Sequence, residues 1–172
     1  MNMPLPKTKL LSLAALFALL TGAGLQAQTT LKVGEPFPDL AKVKLEGTLP
    51  GAMKGKIVLV DFWASWCKPC AESFPVMEAL QAKYKDRLVV LAVSVDTKLS
   101  NLEKFLKKHA VTFAIVRDVE QKLVEAVGVE VMPTSFILDG KGMVRFVHSG
   151  FDGEKTKKKY VELIESLLKD KT

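Results

Sequence analysis

Cysteine and histidine are both scarce in this chain, with two of each among 172 residues. The two cysteines, Cys67 and Cys70, stand three positions apart. No second Cys/His pair accompanies them, so four-coordinate zinc lacks its ligands. A bridge between them closes only a four-residue loop, worth roughly 2 kcal/mol in chain-entropy terms, which is little for a structural staple. Charge of one sign is also lacking. The formal net charge is +6, Lys7 and Lys9 belong to the N-terminal segment, and no acidic residue precedes Glu35, so +4 remains beyond it. That is too little to argue for nucleic acid. No internal repeat and no low-complexity tract interrupts the chain.

Only one long apolar run exists away from the folded elements. Lys7 and Lys9 precede Leu10–Leu20, broken only by Ser12, and Gly22, Ala23 and Gly24 lead to Leu25-Gln26-Ala27. As a helix the stretch to Leu25 rises about 24 Å, short of the ~30 Å hydrocarbon core. The pattern reads as a cleaved signal peptide over residues 1–27, with an uncleaved N-terminal anchor as the alternative. Either way residues 28–172 are expected outside the cytoplasm, in a periplasm-like space. Conditions there are oxidising, so a dithiol stays reduced only if a donor resupplies electrons. The roughly 145 residues that remain suit one domain with a full core.

Apolar periodicity orders that domain. Val43-Lys44-Leu45 alternates as a short strand, and Ile57–Trp63 is apolar throughout except Asp61, the pattern of a strand covered on both faces. Phe74, Met77, Leu80, Gln81 and Tyr84 follow helical spacing, with Pro75 inside as a kink position. Leu88–Val95 reads as a second buried strand ended by Asp96. Ser100-Asn101-Leu102-Glu103 is a capping-box pattern opening a helix that buries Leu102, Phe105 and Leu106. A short strand at Phe113–Val116 follows. A short helix opens near Asp118 and Gln121 and ends before Gly128. Thr134–Leu138 and Met143–Val147 flank Asp139-Gly140-Lys141-Gly142, a hairpin signal. The closing helix, about Lys155 to Leu168, has its stripe at Tyr160, Leu163, Ile164, Leu167 and Leu168. Lys155, Lys157, Lys158 and Lys159 form its solvated face. Parallel βαβ units, then a hairpin, then a helix predict an α/β fold, a mixed central sheet with helices on both faces.

The dithiol follows directly on the first buried strand. Two thiols at i and i+3 can close into a disulfide when a helix starts at the first, and C-x-x-C beside a βαβ pattern is a redox signature. Trp66-Cys67-Lys68-Pro69-Cys70 is therefore expected to be a redox-active pair. Pro69 has no N–H to lose in a first helical turn.

These features together resemble the thioredoxin superfamily. Val60-Asp61-Phe62-Trp63-Ala64-Ser65-Trp66-Cys67-Lys68-Pro69-Cys70 is close to that family's active-site stretch, and Met132-Pro133-Thr134 looks like its proline loop. The N-terminal segment, Gly34-Glu35-Pro36-Phe37-Pro38 and the added helix after Asp96 are most similar to the TlpA/ResA-like branch of extracytoplasmic thiol–disulfide oxidoreductases. The resemblance spans nearly all of Val33 to Leu168. It implies a thioredoxin-like fold, Cys67 as attacking nucleophile at a helix N-terminus, and Cys70 as the more buried resolving thiol. It also implies a cis Met132–Pro133 bond. Met132 would then offer its backbone to an extended substrate segment, and Trp66 would shield the thiols and meet the substrate. The branch usually carries Glu three residues after its second cysteine and Asn at the position of Asp61. Here Ser73 and Asp61 stand there, and Glu72 sits one place early.

Asp61 is costly as a buried carboxylate, so a protonated acid with a raised pKa is expected, placed to take the Cys70 proton. His109 and His148 are expected far from the motif, as ordinary residues. The implied activity is reduction of protein disulfides by a monomer, with no cofactor beyond the Cys67–Cys70 pair, no metal and a membrane electron donor. Cytochrome c maturation, an oxidase copper site and general disulfide repair all fit as pathways. Two other activities compete. Copper delivery by the same thiols wants a His or Met ligand, for which only Met132 is a candidate. A thiol peroxidase of related fold needs Thr and Pro shortly upstream, and Trp63-Ala64-Ser65-Trp66 supplies neither.

Overall fold

In the computed structural model, which describes residues 30–169, the chain enters through a 3₁₀ turn at Leu40–Lys42 and a two-residue strand, β1 (Glu46–Gly47). There follow β2 (Ile57–Trp63), α1 (Lys68–Tyr84), β3 (Leu88–Ser94), α2 (Leu99–Lys108), β4 (Ala114–Arg117), α3 (Lys122–Ala126), β5 (Thr134–Leu138), β6 (Val144–Ser149) and α4 (Gly153–Lys169). The six strands form one mixed sheet in the order β1-β4-β3-β2-β5-β6. β2, β3 and β4 run parallel and β5 and β6 form the antiparallel hairpin, as the sequence implies, while β5 also pairs antiparallel with β2. The signal-peptide reading falls on residues 1–27, outside the described residues. Among the described residues no helix is long and apolar enough to cross a membrane.

Period-two alternation divides the core between the two faces of the sheet. Ile57, Leu59 and Trp63 of β2 pack with Phe74, Met77, Leu80 and Tyr84 of α1, Phe105 of α2, and Tyr160 and Ile164 of α4. Val58, Val60 and Phe62 face the other way, with Leu123 and Val124 of α3 and Phe136 and Leu138 of β5. All seven positions of β2 are buried, the property read from a run apolar at every position but Asp61. Each of these large side chains stabilises the fold by about 1.5–3 kcal/mol on full burial. The lysines of α4 lie on its outer face, where Lys155, Lys157 and Lys158 pair with Asp152, Glu154 and Glu162.

Three local expectations change. Val43–Leu45 forms no strand, and the edge pairing falls to Glu46 and Gly47 against Arg117 and Val116. That approach is very close: at Gly47, with φ +113°, a Cβ would sit 2.8 Å from the Ile115 carbonyl oxygen, so only glycine fits. The capping box does not form, because α2 already begins at Leu99, after Lys98 and without a side-chain cap, which leaves Ser100 inside the first turn. Asp118 and Gln121 do open α3, by an indirect route. Gln121 adopts φ +59°, and the Asp118 carboxylate accepts from the Val124 N–H at 2.8 Å.

Candidate functional site

The site lies at the end of the sheet where β2 and β3 finish and β5 begins, since Trp63 pairs with Ser94 and Phe62 with Thr134. After Trp63 the chain turns through Ala64-Ser65-Trp66 into α1, the Cys67 N–H donating to the Ala64 carbonyl at 3.0 Å. Cys67 is the N-cap residue of α1, with extended backbone angles (φ −87°, ψ 105°), and Pro69 lies within the first turn. Its Sγ accepts from the Cys70 N–H at 3.2 Å, the role a serine or aspartate oxygen takes in other helices. That amide, and the positive end of the helix dipole, favour negative charge on this sulfur.

Cys67 and Cys70 are joined as a disulfide, with Cα atoms 5.3 Å apart. Cys67 retains 5% exposure and Cys70 none, so an incoming sulfur can meet only the first. Ser73, where the branch carries Glu, is buried and its Oγ donates to the Cys70 carbonyl at 2.9 Å. It holds the helix backbone and presents no carboxylate.

Asp61 sits in β2 on the same face as Leu59 and Trp63, the face covered by α1 and by both cysteines. It is 1% exposed. Its neighbours across the sheet are Ala92 of β3 and Ser135 of β5, and the Ser135 hydroxyl donates to Asp61 Oδ1. Ser135 in turn accepts from the Tyr160 hydroxyl of α4 at 2.8 Å. Asp61 Oδ2 has no partner among the described residues. Burial pushes this carboxyl up to about 7, opposed only by the Ser135 hydrogen bond. The same burial, with the Asp61 charge nearby, drives the Tyr160 phenol well above its ordinary range and keeps it a donor. The site thus holds an acid that titrates near neutral pH, with one oxygen fixed and the other unoccupied.

Three residues that the sequence did not mark as part of the site fix the loop that carries the cysteines. Asp96 receives the Ser65 N–H at 2.9 Å, the Ser65 hydroxyl at 2.7 Å and the Ser94 hydroxyl at 2.9 Å. Arg117, 8% exposed, donates to the Asp96 and Thr97 carbonyls and pairs with Glu46. Gln121 donates to the Val95 carbonyl at 2.8 Å. An aspartate directly after a buried strand was the available signal; its partners across 31 residues were not.

On the other side, the Met132–Pro133 peptide bond is cis. The loop is pinned by Thr134 Oγ1 donating to the Val131 carbonyl at 2.7 Å and by the Gly150 N–H donating to the Pro133 carbonyl at 2.7 Å. Met132 itself has no backbone hydrogen bond to another described residue. Trp66 is 72% exposed at the rim of the site.

One histidine lies closer than expected, and the other does not. His109, at the end of α2, stacks on Phe105 and lines the same surface depression as Cys67 and Trp66. Packing of α2 against α1 brings them together, which their wide separation in the chain hides. His148 lies opposite Ser135 in the β5–β6 pairing and shares a 3.1 Å hydrogen bond with Thr156. Among the described residues no group of three or more His, Cys, Asp or Glu is arranged to hold a metal ion.

Comparison with known proteins gives concordant results. Residues 55–144 match a family model described as thioredoxin-like. The thiol-disulfide oxidoreductase ResA of Geobacillus thermodenitrificans is 35% identical over 159 residues, covering 91% of each chain. The thioredoxin-like protein YneN of Bacillus subtilis is 36% identical over 126 residues, 70% of this chain and 73% of its own. Among solved structures, a Chlorobium tepidum protein provisionally named thiol:disulfide interchange protein DsbE superposes with a TM-score of 0.74. It is 36% identical, over 81% of this chain and 99% of that one.

Proposed function

This chain belongs to the TlpA/ResA-like branch of the thioredoxin superfamily and is a thiol-disulfide oxidoreductase, and from that premise we propose that it works outside the cytoplasm as a reductase of protein disulfides. The observation that carries the exchange chemistry is the capped sulfur, which makes Cys67 the attacking thiolate, while the thioredoxin-like Asp61 surroundings favour the reducing direction. Cys67 Sγ is the more accessible of the pair and accepts an amide hydrogen at the start of α1, while Cys70 lies fully buried behind it.

In the forward direction the Cys67 thiolate attacks one sulfur of a substrate disulfide. The substrate S–S bond breaks, a Cys67–substrate mixed disulfide forms, and the substrate's other sulfur leaves as a thiolate that takes a proton. Cys70 then loses its proton to Asp61, on the same buried face, and attacks Cys67 Sγ. The second substrate thiol departs and the Cys67–Cys70 disulfide closes. Two electrons have passed from the protein to the substrate. Asp61 near pKa 7 suits this role, being able both to take and to return a proton near neutral pH. The open backbone of Met132 and the exposed ring of Trp66 support binding of an extended substrate segment beside Cys67, by short β-pairing and apolar contact.

The basic, apolar and small-residue pattern of residues 1–27 supports export, with a membrane donor returning electrons to the pair. Insulin-disulfide reduction, with peroxide turnover as the contrasting assay, tests the activity. Reduction that depends on Cys67 is expected. Peroxide turnover without disulfide reduction would overturn it.

A further inference from the structure

A shallow depression of about 420 Å³ opens beside the nucleophile between α1 and α2, and its charged lining has a single sign. Lys68 lines it from α1 and Lys104 and Lys108 from α2, with Trp66, Cys67 and His109 among its other lining residues. No carboxylate lines it; Glu72 and Glu103 lie on the same helices but outside it. All three lysines are exposed, and none forms an ion pair with another described residue. Elsewhere Lys42, Lys44, Lys83, Lys122, Lys155, Lys157 and Lys158 each have a carboxylate within 4 Å. Lys32, Lys54, Lys56, Lys85, Lys98, Lys107, Lys141 and Lys159 form no ion pair with a described residue either, so what marks this depression is that three such lysines share it with the nucleophile. Lys104 and Lys108 are four residues apart, so they share one side of α2, where like charges repel until an anion arrives.

We propose that this depression docks an acidic polypeptide segment next to the substrate's disulfide, so that the protein selects disulfides flanked by Asp or Glu. The inference rests on the reductase reading above and names the substrate class for it. Three unneutralised lysines lining the depression that Cys67 also lines raise the local concentration of an anionic chain and its rate of encounter. The concave shape, with Cys67 in its wall, suits a polypeptide segment rather than a flat anionic bilayer. Trp66, exposed at its edge, gives the segment an apolar contact, and the lysine stems add more.

The test uses three fluorogenic disulfide peptides with one core and acidic, neutral or basic flanks, reduced by the dithiol protein in single-turnover experiments. At low ionic strength the acidic peptide is expected to react about tenfold or more faster than the basic one, and the ratio should shrink toward one at about 0.5 M salt. Lys104→Glu combined with Lys108→Glu should invert the ratio, whereas Lys155→Glu with Lys158→Glu on the outer face of α4 should leave it unchanged. Because each ratio comes from a single preparation, partial misfolding of a variant cancels. Reduction of the neutral peptide with no charge preference would overturn the docking proposal alone; failure to reduce any peptide would overturn the reductase reading with it. Binding to phosphatidylglycerol-containing vesicles that requires Lys104 and Lys108, without peptide discrimination, would assign the patch to a membrane and also overturn the proposal.

Discussion

Replacing Asp61 with asparagine should flatten the pH dependence of stability between about pH 4 and pH 7. In the folded protein burial holds this carboxyl near 7, whereas in the unfolded chain it returns to its ordinary value near 3.8. The folded state therefore binds the extra proton between those limits, and stability falls as pH rises through them and levels off above the folded pKa. Roughly three pKa units at 1.36 kcal/mol each correspond to about 4 kcal/mol lost across this window. The asparagine variant carries no such penalty. Its amide oxygen can still accept from Ser135, while the amide nitrogen takes the unpartnered place of Oδ2, at a pH-independent cost of about 1–3 kcal/mol. That cost cancels when each protein is compared with itself at two pH values. Urea denaturation of the disulfide-closed proteins at about pH 4.5 and 8.5, followed by the fluorescence of buried Trp63, measures the difference. The parent should lose several kcal/mol more than the variant over this range. Parallel pH profiles would show that Asp61 titrates in the ordinary carboxylate range and would remove the physical basis for its role as proton acceptor.

Cys67→Ser should abolish insulin reduction, while Cys70→Ser should accumulate mixed disulfides; faster alkylation of Cys70 than of Cys67 in the reduced protein would reverse the assignment. Asp61→Asn should slow resolution of the mixed disulfide more than its formation, and resolution kinetics in the parent that stay flat from about pH 6 to 9 would count against this. Ser135→Ala removes the one interaction that lowers the Asp61 pKa, so the carboxyl midpoint, followed by carbon NMR, should move further up. Asp96→Ala strands the Ser65 and Ser94 donors and should cost about 3 kcal/mol, with faster hydrogen exchange at the Ser65 amide. The capped Cys67 thiolate makes the couple more oxidising and the thioredoxin-like Asp61 surroundings oppose it, so the potential is expected between roughly −270 and −180 mV. Glutathione equilibration checks this, and a value near about −120 mV would make the protein a disulfide donor.

The apolar run Ile57–Trp63, interrupted only by Asp61, and the helical spacing from Phe74 to Tyr84 determined β2 and α1. So did the hairpin glycines for β5 and β6, because burial on two faces or one leaves a periodic trace in a single segment. The reactive pair was legible for the same reason: Cys67 and Cys70 are neighbours in the chain, and the N-cap that activates the first is a local event. Asp61 announced itself as the one charge in an apolar strand. What the sequence could not disclose is where that charge finds its partners, since Ser135 lies 74 positions away and Tyr160 a further 25, and they meet it only through strand register and the docking of α4. The ladder of Asp96, Arg117 and Gln121 beneath the loop and the gathering of Lys68, Lys104, Lys108 and His109 around Cys67 have the same origin. Propensity and periodicity act within about a dozen residues, whereas side chains from separate elements are brought within hydrogen-bond reach only by the packing of those elements on the sheet.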